Sequence, residues 1–144
     1  MPDSSYKVGE TTSKLITFDV DSVRRFATLA GDHSLLHHDD VFAKATRFGK
    51  LVVSGTQYSA LMMGMVATFL TERRAGLGLE FEFQFRKAVL VGQTLRMEWR
   101  IVSVEPNPKL KGDVIGLEGS LFDELGEVYV LARSKSLSIP KDLL

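Results

Sequence analysis

The chain has 144 residues, 44% of them hydrophobic and 25% charged, and lysine plus arginine equals aspartate plus glutamate at 18 each. That length suits one domain, taken as residues 1–144, with enough chain to bury a sizeable core. The charge balance offers no basic surface for nucleic acid, and the absence of cysteine excludes disulfides, thiolate nucleophiles and thiolate metal sites.

The opening Met1-Pro2-Asp3-Ser4-Ser5 shows neither a basic nor an apolar signal region. The longest apolar run, around Tyr58–Leu70, is too short to span a bilayer. A cytoplasmic protein with no membrane contact is the expectation. Lys14–Phe18 reads as a short strand. Asp19 then caps a helix whose apolar residues Val23, Phe26, Ala27 and Ala30 fall at i, i+3, i+4 and i+7, and Gly31 stops it. A histidine-rich turn follows. Asp39 caps a short helix through Ala45, and Phe48-Gly49 breaks the pattern.

Ser54 is the N-cap of a helix expected over Gly55 to Arg74. Its residues are apolar or small nearly all round, so it is expected to be buried, with Gly76 and Gly78 closing it. The remainder is strand-like. Leu79, Phe81, Phe83 and Phe85 alternate with Glu80, Glu82, Gln84 and Arg86. Gly92-Gln93 turns the chain into Leu95–Val104, and Pro106–Gly112 turns it again. Val114–Phe122 and Val128–Ser138 form the last pair. Helices first and turn-linked strands second predict an α+β domain with an antiparallel sheet. The long helix is the only adequate cover for the inner face of that sheet.

All three histidines and three carboxylates (Asp32, Asp39, Asp40) crowd into the turn after the first helix. Asp32 and His37 stand five positions apart and can face one small molecule, a suitable pair for moving protons at neutral pH. Read locally, His37 is equally a turn residue bonded to a carbonyl, and Asp32 an Asx-turn residue. His33 and His38 read as solvated or supporting groups. No metal is expected at His33, His37, His38 and Asp39. Their spacing is not that of a helical His-x-x-x-His pair unless the turn is itself helical, and no distant ligand accompanies them. Ser54 lacks a Gly-x-Ser-x-Gly elbow and is not a nucleophile. Arg47, Lys50, Arg86 and Lys87 are surface charges that can also meet phosphate.

The run Gly31-Asp32-His33-Ser34-Leu35-Leu36-His37-His38-Asp39, then Phe42-Ala43, Phe48-Gly49 and Val53-Ser54-Gly55, resembles the MaoC-like hydratases and dehydratases, which include the (R)-specific enoyl-CoA hydratases. The element order resembles the family over nearly the whole chain, and the motif spacing is kept without gaps. It implies a hot-dog fold, a curved antiparallel sheet wrapped around one central helix. It also implies reversible addition of water to a trans-2-enoyl thioester, needing no cofactor beyond the coenzyme A of the substrate.

By the same resemblance Asp32 and His37 hold the water, with His37 expected as base and Asp32 as orienting group and proton donor. The Gly55 N–H would donate to the thioester oxygen, and Ser34, Ser54, Tyr58 and Met63 would line the substrate. The partners implied are a small acyl thioester and a second copy of the chain, as a homodimer. Three positions depart from the motif: its Asn is Ser34, its Pro is Leu35, and the His before the helix glycine is Ser54. A hydroxyl that some hydratases carry further along the helix is Met63. A hot-dog thioesterase and a non-catalytic acyl-thioester binder are the competing readings.

Overall fold

The computed structural model describes residues 5–144. The reading of the extreme amino terminus therefore lies, for residues 1–4, outside the described residues. Strand β1 (Thr11–Thr17) is followed by helices α1 (Val20–Leu29), α2 (Asp40–Lys44) and α3 (Gly55–Thr71). Strands β2 (Ala75–Phe85), β3 (Thr94–Asn107), β4 (Gly112–Phe122) and β5 (Val128–Ile139) complete the chain. They form one antiparallel sheet in the order β1-β3-β4-β5-β2. The α+β arrangement is as expected from the sequence.

The sheet closes around α3 because period two meets period 3.6 on one apolar surface. Leu95, Met97, Trp99 and Ile101 of β3 point inward, and α3 lays Met62, Val66 and Phe69 against them. Trp99 is fully buried, and its indole N–H donates to the Met62 carbonyl at 2.9 Å. Tyr6 ties the chain's start to the same helix, its hydroxyl donating to the Phe69 carbonyl at 2.7 Å.

Several boundaries differ from the sequence reading. Helix α3 ends at Thr71 rather than Arg74, and Gly76 and Gly78 do not close it. They lie inside β2, paired with Ser138 and Ser136. Strand pairing to β5 rewards these glycines more than a helix end does. A bulge between Gly78 and Glu80 then shifts the phase, so Gly76 and Gly78 face inward before it and Phe81, Phe83 and Phe85 after it. Strand β3 runs on through Pro106-Asn107, read as turn, because both residues pair with β4. Nor is α3 buried all round. Ala60, Met63, Gly64 and Ala67 form an open stripe, since the sheet of a single chain covers only one side of the helix.

Candidate active site

Asp32 is placed by the way α1 ends. Gly31 adopts φ +74°, which costs glycine nothing and would strain any residue with a Cβ. The Gly31 N–H then reaches the Thr28 carbonyl at 3.1 Å, and the Asp32 N–H reaches the Ala27 carbonyl at 2.8 Å. This is a Schellman cap, with Asp32 as the second residue past the helix end. Its side chain is thereby anchored to a packed helix instead of riding on a loop.

His37 is placed by a single 3-10 turn, Leu35–His37. The Leu36 N–H donates to Ser34 Oγ at 3.3 Å, and the His37 N–H to the Ser34 carbonyl at 3.0 Å. The segment Leu51–Val53 then laces this turn to the rest of the fold. The Val52 N–H donates to the Leu36 carbonyl at 2.9 Å, and the Val53 N–H to the Val89 carbonyl at 2.7 Å. His37 Nδ1 contacts the Val52 carbonyl at 2.6 Å. A carbonyl only accepts, so Nδ1 carries a hydrogen and Nε2 is the nitrogen free for chemistry.

That nitrogen stands 3.0 Å from Asp32 Oδ2. The imidazole is not turned to bulk water: His37 is 8% exposed. Ser54 Oγ donates to the same carboxylate oxygen at 2.6 Å, and the Ser34 N–H approaches Oδ1 at 3.3 Å. The Ser54 hydroxyl bond is the main reason the Asp32 carboxyl is held below the usual carboxylate range. Desolvation opposes it, while the Ser34 N–H and the fields of His37 and His38 assist.

His38 braces the turn from behind, its Nε2 donating to the Asp32 carbonyl at 2.8 Å. Arg24 of α1 reaches across to the His38 carbonyl at 3.0 Å and to Asp40 at 2.7 Å. Sequence reasoning missed Arg24, the Val52 carbonyl and Thr56. Backbone carbonyls carry no signal in the sequence. Arg24 and Thr56 belong to no motif that would set them apart in the sequence.

Gly55 opens α3 directly after Ser54, so its first-turn amide lies beside the Asp32–Ser54 bond. A methyl built on Gly55 would stand 3.6 Å from both the Phe85 ring and the Tyr58 hydroxyl. Those two rings pack edge to face at 5.6 Å, and burial pushes the Tyr58 phenol up. Tyr58 thus stands near Gly55, with Phe85 of β2 beside it.

The other expected substrate residues are placed differently. Ser54 is fully buried and spends its hydroxyl on Asp32 and on capping the Thr56 N–H at 3.3 Å. Ser34 caps the histidine turn. Met63 lies two turns along α3 and lines a groove of about 290 Å³ between α3 and β2, with Val66, Ala67, Leu70, Gly78 and Phe81. Among the described residues, no three His, Asp or Glu side chains come together as metal ligands. A second groove of about 510 Å³ lies across the outer face of the sheet, among Glu82, Arg100, Glu118 and Arg133. Neither groove is lined by Asp32 or His37.

Among curated proteins none matches this sequence closely enough to count as a relative. Solved structures do. The chain is similar to the (R)-hydratase from A. caviae involved in PHA biosynthesis, with a TM-score of 0.83 and 24% identity over 94% of this chain and 98% of that one. It is similar to the R-hydratase PhaJ1 from Pseudomonas aeruginosa, at TM-score 0.82 and 20% identity over 94% and 83%. A chain of the ChsH1-ChsH2 complex from Mycobacterium tuberculosis follows at 0.80 and 16% over 93% and 99%. These likenesses establish the hot-dog fold. Sequence goes further, because the MaoC like domain matches residues 5–115, a stretch holding α1, the histidine turn and the whole of α3. This chain belongs to the MaoC like domain family.

Proposed function

We propose that the chain is a hydro-lyase that adds water reversibly to a trans-2-enoyl thioester, carried on coenzyme A, to give a 3-hydroxyacyl thioester. The observation that carries this reading is the 3.0 Å contact between Asp32 and His37, tied through Ser54 to the first turn of α3 in a MaoC like domain. The thioester carbonyl makes C3 electrophilic. The oxygen of water bonds to C3 while the C2–C3 π electrons move toward the carbonyl oxygen. One proton leaves the water and one is delivered to C2. Asp32 and His37 are a carboxylate and an imidazole in contact, able to do both. The Gly55 N–H, at the positive end of α3, would hold the developing enolate oxygen. No redox cofactor or metal takes part in this scheme.

The acyl chain would run beside α3 toward Met63, about 12 Å from the amide end at the helical rise per residue. The apolar groove between α3 and β2 would take the longer chains.

A homodimer is part of the proposal. Strand β2 is a sheet edge, and edges recruit partners. Leu77, Leu79 and Phe85 on it are exposed, beside the open stripe of α3. Sedimentation equilibrium should return about twice the 16.0 kDa of one chain. A monomer at working concentrations would overturn this part.

The activity is tested with a crotonyl thioester by following loss of enoyl absorbance against release of free thiol. Absorbance loss without thiol is expected, and thiol release would mean a thioesterase. Gly55→Pro sharpens the test. Ser54 has φ −63° and ψ 135°, the conformation that a residue before proline requires. Proline at the first helical position is tolerated, so α3 should form while the amide hydrogen is lost. Turnover should fall roughly a hundred- to a thousandfold, the usual cost of one oxyanion donor, with the circular dichroism unchanged. Full activity in this variant would remove Gly55 from the mechanism.

A further inference from the structure

Hydrogen-bond valence around Asp32 has one consistent solution. A carboxylate only accepts, so Ser54 Oγ spends its single hydrogen on Asp32 Oδ2 at 2.6 Å. Ser54 Oγ must then accept in its contact with Thr56 Oγ1 at 2.7 Å, and it also accepts from the Thr56 N–H at 3.3 Å. At the other end the Val52 carbonyl requires a hydrogen on His37 Nδ1. The chain thus runs Thr56 to Ser54 to Asp32, and His37 Nε2 meets the same Oδ2 at 3.0 Å. Two lone pairs facing each other at that distance would repel, so one hydrogen occupies the contact.

We propose that Ser54, held from behind by Thr56, is a positioning residue that keeps Asp32 a carboxylate and leaves the shared hydrogen on His37 Nε2. Ser54 stands where the family motif has a histidine, and it is fully buried, so water does not compete for its hydroxyl. An oxygen that already accepts from Ser54 is a poor place for a proton. A histidine side chain at position 54 would instead bring a second titrating group to the pair.

The catalytic consequence rests on the hydratase reading. Turnover then needs Asp32 in its carboxylate form beside His37, and Ser54 acts through Asp32 without touching the substrate.

The titratable, charged and hydroxyl groups around the Asp32 turn come from three elements. The turn contributes His37 and His38, with His33 beside His38 at 6.3 Å between rings. Helix α1 contributes Arg24, whose guanidinium is engaged by the His38 carbonyl and Asp40. Helix α3 contributes the hydroxyls of Ser54 and Thr56, with Tyr58 near Gly55.

Ser54→Gly removes the hydroxyl but keeps an N-cap residue that helices tolerate. In this variant the acid limb of the kcat/KM profile should move to higher pH. The kcat should fall roughly tenfold or more, the scale of one hydrogen bond to a charged group, while KM changes little. Thr56→Val, which leaves Ser54 in place, should move both readings the same way by less. Carboxyl carbon resonances, followed by NMR as the resting protein is titrated, read Asp32 without any substrate. Asp32 should titrate at higher pH in Ser54→Gly than in the parent protein. An unchanged Asp32 titration would overturn the role of Ser54 even in an active enzyme. A shifted titration in a protein that hydrates no enoyl thioester would uphold it while refuting the proposed reaction.

Discussion

Asp32→Asn and His37→Ala should each lower turnover of a crotonyl thioester at least about a hundredfold, as removal of a positioned proton-transfer group does, without unfolding the chain. The asparagine variant is the more informative. With its amide oxygen in the place of Oδ2, it can still accept from Ser54 at 2.6 Å and from a hydrogen on His37 Nε2 at 3.0 Å. The geometry survives while the proton traffic stops, because an amide neither takes up nor releases a proton near neutral pH. His37→Ala removes the imidazole and leaves the Val52 carbonyl without its ring partner. Its effect on stability should stay small beside its effect on rate, since water can reach the vacated space. Steady-state kinetics and thermal melts on the same preparations separate the two effects. Parent-level turnover in both variants would move the chemistry away from this turn.

Trp99→Ala should have the largest effect on stability, about 3–5 kcal/mol, as for other large-to-small changes at buried aromatics. The ring is fully buried, bonded through its N–H to the Met62 carbonyl in mid-α3, and meets the edge of Phe81 at 6.2 Å between centroids. It lies directly on Gly119 of β4, where an added Cβ would come within 2.6 Å of the indole. The tryptophan and the glycine are two halves of one contact, so Gly119→Ala should destabilise by overpacking. A loss of this size is a large share of the stability of a small domain and corresponds to a melting point lower by roughly 10 °C. Because Trp99 is the only tryptophan, far-ultraviolet circular dichroism has to report the transition. A melt within a few degrees of the parent would show that the α3–sheet contact is held elsewhere.

The two tests probe different levels of the same fold. Trp99 locks the helix to the sheet, and that lock sets where the amino end of α3 lies. Asp32 and His37 reach that end only because the Schellman cap of α1 and the Leu51–Val53 segment bring the turn to it.

Local rules made much of this legible. Asp19, Asp39 and Ser54 were readable as N-caps, and each accepts the expected backbone N–H. Gly31 was readable as a stop. Period-two alternation marked the strands that face α3. The phase change within β2 was not legible, because a bulge at Gly78/Glu80 depends on the pairing partner, and β5 is far away in sequence. The roles of Ser54 and Val52 were hidden for the same reason. Ser54 lies 22 positions from Asp32, and Val52 lies 15 from His37.

The order of residues alone thus determined the elements, their caps and the spacing that brings a carboxylate and an imidazole onto one turn. Those features depend on interactions within about one helical turn or along one strand, which a sequence displays directly. The tertiary structure alone decided which nitrogen of His37 is free, which hydroxyl holds Asp32, and which face of α3 stays open. Each of those follows from packing segments distant in the chain. That packing is selected by burial of the common core around Trp99, which no local window contains.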